Sequence, residues 1–195
     1  VALTNGLVSN ISDVLNDAYL KTDEQERFAP DTAIFYSINN CQAGLRGISF
    51  GNFLIKQVAD ELAEEIRSLR HYATLSPIPG FRAWLEPIRL ARSADWLKPE
   101  DYILLAELET PNWYRDEDLT GALKPLMERV CARYLVDEKS DGEALDPVAK
   151  FHLSNGARIE RINWLGDLSE QRIAQSYGML VNYIYDRRSV IKNHE

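Results

Sequence analysis

The sequence predicts an α/β fold of the α+β kind: a mixed central sheet flanked by helices, with a helical insertion in the middle of the chain. Three observations predict it. Residues 32–38 (Thr-Ala-Ile-Phe-Tyr-Ser-Ile) form a nearly continuous aromatic and β-branched run between polar clusters, which suits a strand buried inside a sheet. A loop with three glycines follows, and then Leu54, Val58, Leu62, Ile66 and Leu69 recur at helical spacing. From Pro99 to Tyr134 the apolar residues also keep helical spacing, interrupted at Pro111-Asn112-Trp113-Tyr114.

The elements follow in order. Val1-Ala2-Leu3 reads as part of a strand and Thr4-Asn5-Gly6 as a turn, and Ser9 or Asn10 caps a short helix through Ile11, Val14 and Leu15. Residues 21–30 are charged and apolar-poor, a loop. After the glycine loop and its helix, residues 71–75 give a second strand. It ends at Ser76-Pro77-Ile78-Pro79-Gly80, because proline has no N–H to give to a ladder. Residues 81–90 read as a helix with Trp84 and Leu85 inward, although Pro87 falls inside it. Pro99 starts a helical segment through residues 102–108. A longer helix carries Leu126, Met127, Val130, Cys131 and Tyr134, and Asp141-Gly142 marks a turn. Residues 144–155 form a short helix with a left-handed stop at Asn155-Gly156. Residues 158–164 alternate as a strand. Ser169 opens the last helix, with Ile173, Tyr177, Leu180, Val181 and Ile184 on one face, and the charged residues 186–195 fray.

Composition narrows the function classes. The 195 residues fit one domain, or one domain with a small appendage, and 45% hydrophobic with 27% charged residues argues against disorder, collagen or coiled coil. No apolar run reaches the roughly 20 residues of a membrane span. With 22 basic against 30 acidic residues the net charge is -8, so the chain lacks the basic footprint of a nucleic-acid binder. Cys41 and Cys131 belong to no paired motif, and His71, His152 and His194 share no metal-ligand spacing with them. The expectation is a reducing, cytoplasmic setting without structural metal. A mitochondrial or peroxisomal form is left open. The start at Val1, without a signal-peptide pattern, reads as a fragment of a longer chain.

Three places could carry chemistry. In the glycine loop, Gly44, Gly47 and Gly51 let backbone N–H groups approach a ligand, and the following helix offers its unpaired N–H groups and positive dipole end, a combination that suits a pyrophosphate. The spacing fits neither a P-loop nor a dinucleotide fingerprint. It resembles the Gln-x-x-Gly-x-Gly loop with which GNAT-fold acyltransferases hold the pyrophosphate of coenzyme A, and a plain strand-to-helix connection with incidental glycines is the alternative. Ser76 sits in a turn stiffened by Pro77 and Pro79. It either binds a substrate group or caps the helix that follows. His152 lies in Phe151-His152-Leu153-Ser154-Asn155-Gly156-Ala157, either as a structural histidine or as a proton donor. The late GNAT segment Phe-Tyr-x-x-x-Gly is similar, with His152 where the tyrosine acid stands. Cys41 has no evident base beside it, and the four tryptophans read as core or interface aromatics.

Taken together these residues resemble the malonyl-CoA decarboxylase family. The resemblance rests on Ala33-Ile34-Phe35-Tyr36-Ser37-Ile38, on Gly44-Leu45-Arg46-Gly47 with Gly51, and on Phe53-Leu54-Ile55-Lys56. It continues through Leu75-Ser76-Pro77-Ile78-Pro79-Gly80-Phe81 and from Asp146-Pro147-Val148-Ala149 to Arg161-Ile162-Asn163-Trp164, in family order over nearly the whole chain. It implies a GNAT-like catalytic domain over residues 1–195, with the family's N-terminal helical domain and first catalytic-domain segments absent. It implies Ser76 and His152 as the catalytic pair, and Arg46, Gly47, Ile48, Ser49, Phe50, Gly51 and Asn52 as contacts to malonyl-CoA. Some relatives carry Glu where Ser49 stands, so no carboxylate role transfers there.

The implied reaction turns malonyl-CoA into acetyl-CoA and carbon dioxide through a thioester enolate, with no cofactor and no metal. In it Ser76 binds the malonyl carboxylate, and a His152 titrating near neutrality donates the proton. A homo-oligomer, dimer or tetramer, is expected from the family's habit. A GNAT-type acyltransferase and a non-catalytic acyl-CoA-binding module are the competing functions. The first lacks an evident base for an acceptor amine, and the second has no need of a proton donor.

Overall fold

The computed structural model of the chain describes residues 1–15, 29–37 and 51–185, without the side chains of 51–53. The chain divides into two compact units. The first comprises Val1–Ser76, His152–Arg161 and Val181–Glu195, and the second Pro77–Phe151 and Ile162–Leu180.

A five-stranded sheet organises the first unit. Its strands are β1 (Ala2–Thr4), β2 (Thr32–Tyr36), β3 (His71–Pro77), β6 (Arg158–Asn163) and β7 (Leu180–Ile184), in the order β1-β2-β3-β7-β6. β1 runs antiparallel to β2, with Leu3 opposite Ala33, and β2 runs parallel to β3, with Ile34 opposite Ala73. The sheet is therefore mixed, as predicted. Parallel pairing requires a crossover, and helix α2 (Gly51–Glu65) lies between β2 and β3 in sequence. Four of the five β2 residues are buried, in keeping with their apolar run. The strand ends one residue before Ser37, whose φ of 56° leaves the extended region. Asn10 caps the short α1 (Ile11–Leu15) by accepting from the Ser12 N–H at 2.8 Å.

The inward face of α2 is shifted from the predicted one: Val58 and Leu62 of the predicted stripe are half-buried, and the fully buried positions lie beside them. Ile55 and Ala59 are buried, whereas Leu54 is 57% exposed. The apolar residues of this helix form two adjoining stripes one position apart. The stripe containing Ala59 is the one buried, and a small side chain lets a helix lie closer to its support.

The second unit is helical, as expected for the middle of the chain. It contains α3 (Phe81–Ala91), α4 (Pro99–Ala106), α5 (Glu117–Val136) and α7 (Glu170–Ser176). Two 3₁₀ turns, Glu107–Glu109 and Trp113–Arg115, join α4 to α5, and the second occupies the loop read around Trp113. α5 buries Leu123, Leu126, Met127, Val130, Cys131, Tyr134 and Leu135, a stripe at i, i+3, i+4 and i+7 spacing. Phe81 joins Leu85 in the core in place of the expected Trp84, which is half-buried, stacked on Trp96 and tilted against Tyr134. Pro87 is accommodated inside α3. The Asp141-Gly142 turn closes a small hairpin of β4 (Lys139–Ser140) and β5 (Glu143–Ala144), both turn residues having positive φ.

The C-terminal region departs from the sequence reading. The last helix is short, and Leu180, Val181 and Ile184 belong to strand β7. Tyr177 (φ 54°) and Gly178 (φ 78°) stop α7 in the left-handed region. Beyond them, Leu-Val-Asn-Tyr-Ile is β-branched and aromatic, and a buried strand of this kind carries the same continuous apolar run as a buried helix. The expected tail 186–195 and loop 21–28 lie outside the described residues.

Candidate active site

Ser76 and His152 come together inside the first unit. The Ser76 Oγ lies 3.1 Å from Nε2 of His152, and the two residues are 3% and 2% exposed. β3 delivers Ser76 at its penultimate position. Helix α6 (Pro147–Ser154) delivers His152 in its last turn, and Gly156 (φ 80°) reverses the chain immediately afterwards. The Ser76 hydroxyl also donates to Oγ1 of Thr74 at 2.8 Å.

The competing role of Ser76 as a helix cap is not realised. Gly80 occupies the N-cap of α3, without a side-chain cap bond. The Gly80 N–H is instead taken at 3.3 Å by Oδ2 of Asp146. Asp146 also caps α6, its Oδ1 accepting from the N–H groups of Val148 at 2.9 Å and Ala149 at 3.0 Å. Gly80 has no room for a side chain, because a Cβ there would stand 2.2 Å from the Tyr134 hydroxyl.

The other ring nitrogen of His152 has a partner that the sequence did not reveal. Nδ1 lies 2.8 Å from the phenol oxygen of Tyr185, the residue directly after β7. Tyr183 stacks on the imidazole, with ring centroids 4.4 Å apart and planes at 25°. Burial pushes the Tyr185 phenol pKa up, so at neutral pH it keeps its proton and can donate to Nδ1. The apolar run of residues 180–184 suits a helix as well as a strand, and a helix would not place these two tyrosines on one side. Their i, i+2 spacing was the available signal.

The sequence predicts a His152 that titrates near neutrality, and the structure differs. Burial lowers its pKa from the ordinary 6.5 to about 4, so the ring is neutral at pH 7. A neutral imidazole between a phenol and a serine has one nitrogen able to donate and one able to accept, and the phenol and hydroxyl protons determine which.

Of the expected pyrophosphate cradle, Gly51 and Asn52 form the first turn of α2, and their side chains are not among those described. Arg46, Gly47, Ile48, Ser49 and Phe50 lie outside the described residues, as do Cys41 and His194. Cys131 is fully buried, and burial pushes its thiol pKa well up, so it is a packing residue and not a nucleophile. Among the described residues no three His, Cys, Asp or Glu side chains group as a metal site, and no helix is long and apolar enough to cross a membrane.

Residues 1–195 match the family model described as the malonyl-CoA decarboxylase C-terminal domain. The chain belongs to the malonyl-CoA decarboxylase family. It is 40% identical, over 95% of its length, to the mitochondrial malonyl-CoA decarboxylases of Anser anser anser and Mus musculus, and covers 40% and 41% of them. The chain thus spans about two fifths of the length of these curated relatives. Two solved malonyl-CoA decarboxylase structures agree. That of Rhodopseudomonas palustris matches with a TM-score of 0.85 and 43% identity, over all of this chain and 44% of that one. That of Agrobacterium vitis matches with a TM-score of 0.89 and 45% identity, over 99% and 47%.

Proposed function

We propose that this chain carries the catalytic site of a malonyl-CoA decarboxylase and that Ser76 and His152 are its working pair. The observation that carries the reading is their buried contact at 3.1 Å, within a chain of that family. The C–C bond to the malonyl carboxylate breaks, and carbon dioxide leaves. The electron pair passes into the thioester as an enolate, and a proton on the α-carbon then gives acetyl-CoA. The thioester accepts the electron pair itself, so the step asks for no metal or organic cofactor. What it asks of the protein is orientation of the breaking bond, a dry pocket, and a proton for carbon.

Ser76 donates its hydroxyl to the malonyl carboxylate and holds the breaking bond perpendicular to the thioester plane. His152 supplies the proton. It is neutral in the free protein, and the incoming carboxylate provides the opposite charge that favours the protonated ring. The proton is therefore taken up with substrate and spent on carbon once the carboxylate has left as carbon dioxide. The loop from Arg46 to Asn52 holds the coenzyme A pyrophosphate. The working form is a homo-oligomer, dimer or tetramer, in which residues 1–195 contribute the catalytic domain.

Carbon dioxide release from malonyl-CoA tests this in the full-length protein, comparing wild type with Ser76→Ala. Turnover should fall sharply with little change in melting temperature, and acetyl-CoA, which has no such carboxylate, should keep its affinity. A lowered melting temperature with wild-type turnover would return Ser76 to a purely structural role.

A further inference from the structure

The Ser76 hydroxyl has a second partner on its own strand. β3 places residues 74 and 76 on the same face of the sheet, two apart. Thr74 is fully buried, and its Oγ1 accepts from the Ser76 hydroxyl at 2.8 Å. A buried hydroxyl in a strand costs free energy unless it is bonded, so its partners show what it is used for.

Those partners come from β7. The Tyr185 N–H goes to the Tyr72 carbonyl at 2.8 Å, an ordinary ladder bond. Two residues further along, side chains take part. The Tyr183 N–H goes at 3.2 Å to the Thr74 hydroxyl, and the Thr74 carbonyl accepts from Nδ2 of Asn182 at 2.8 Å. The pairs 72–185 and 74–183 run in opposite directions, so the two strands are antiparallel, and at Thr74 side chains join the hydrogen bonding between them. A backbone N–H thus fixes the Thr74 oxygen. The β-branched side chain has few rotamers with which to leave it.

We propose that Thr74 is a positioning residue for decarboxylation: its Oγ1, fixed by the Tyr183 N–H, holds the Ser76 hydroxyl beside His152 until the malonyl carboxylate takes that hydrogen bond. The proposal rests on the decarboxylase reading of Ser76. The Ser76 proton has one acceptor in the free protein and another in the complex, and the oxygen keeps its place throughout.

Two substitutions separate the hydroxyl from the shape. Thr74→Val keeps the shape and removes the hydroxyl, and Thr74→Ser does the reverse. In the full-length protein, Thr74→Val should lower kcat for malonyl-CoA by about tenfold or more, the scale of a mispositioned group. Its affinity for free coenzyme A should stay unchanged, and Thr74→Ser should retain most of the turnover. The opposite order, with valine active and serine impaired, would make Thr74 a packing residue and overturn the proposal, as would equal activity in both. If Thr74→Val does not fold, Thr74→Ala against Thr74→Ser makes the same comparison of hydroxyl with none. Wild-type protein that releases no carbon dioxide would overturn the decarboxylase reading and this proposal together. An inactive Ser76→Ala beside a fully active Thr74→Val would overturn this proposal alone.

Discussion

The phenol of Tyr185 stands 2.8 Å from Nδ1 of His152, and the hydroxyl of Ser76 stands 3.1 Å from Nε2 of the same ring. Each nitrogen thus faces a hydroxyl group. The state of one nitrogen fixes the state of the other, so a change at Tyr185 reaches Ser76 through the ring.

Tyr185→Phe should leave the aromatic packing intact and release the hold on Nδ1. Turnover is expected to fall about tenfold, with coenzyme A affinity unchanged. Nitrogen NMR of the imidazole should show a mixture of tautomers where the wild type shows one. A single unchanged tautomer with normal turnover would remove Tyr185 from the site.

His152→Asn keeps a polar side chain of similar size and removes the titratable donor. A fall in kcat of at least about a hundredfold is expected, the usual scale for a lost general acid. Binding of coenzyme A, measured by calorimetry, should be largely spared. Near-normal turnover would mean that the proton comes from elsewhere.

If His152 is neutral before substrate arrives and charged after, binding must take up protons. Calorimetric titration near pH 7 of a malonyl-CoA analogue that cannot decarboxylate, with a sulfonate in place of the carboxylate, repeated in buffers of different ionisation enthalpy, should report net uptake, and the same titration with acetyl-CoA should report much less. Equal uptake for the two ligands would mean that the carboxylate does not drive the change.

The same burial ties His152 to stability. The unfolded chain protonates this imidazole below about pH 6.5, and the native chain only below about 4. Between these values the unfolded state binds more protons, so stability present above pH 6.5 is lost as the pH falls, by up to about 3 kcal/mol. Denaturant titrations at pH 7 and pH 4.5 should show that loss in the wild type and a smaller one in His152→Asn.

Gly80→Ala places a methyl group 2.2 Å from the Tyr134 hydroxyl. The clash should cost about 1–3 kcal/mol, as overpacking does. Tyr134→Phe removes the obstructing oxygen, so the double variant should regain most of the loss in thermal melts. Additive losses would indicate that the turn has moved away from Tyr134.

The elements legible in the sequence were those with a strong period or firm stop signals. Residues 32–36 declared a strand through composition, α5 through its stripe, and α6 through the Asn155-Gly156 stop that the structure realises with a positive φ. Two features were not legible. In α2 two apolar stripes compete, and only packing chooses Ile55 and Ala59 over Leu54. In residues 180–184 a buried strand and a buried helix have the same apolar run, and the decisive left-handed pair Tyr177-Gly178 carries no stop signal strong enough to break the helical pattern. The site followed the same division. Ser76 and His152 were found by motif, whereas Thr74 and Tyr185 were not. Their part depends on which strand lies beside which, and that is information about pairing that no local pattern carries.

The left-handed stop at Tyr177-Gly178 also makes chain length matter to the active site. Tyr183 and Tyr185 both reach His152 because an even number of steps separates them, and their distance from the stop sets which side of the sheet they face. Deleting one residue between Gly178 and Tyr183 would turn both rings to the opposite side of the sheet while leaving Ser76 and His152 in the sequence. In this protein an indel at the helix-to-strand switch would strip His152 of both its tyrosine neighbours, although it lies far from His152 along the chain.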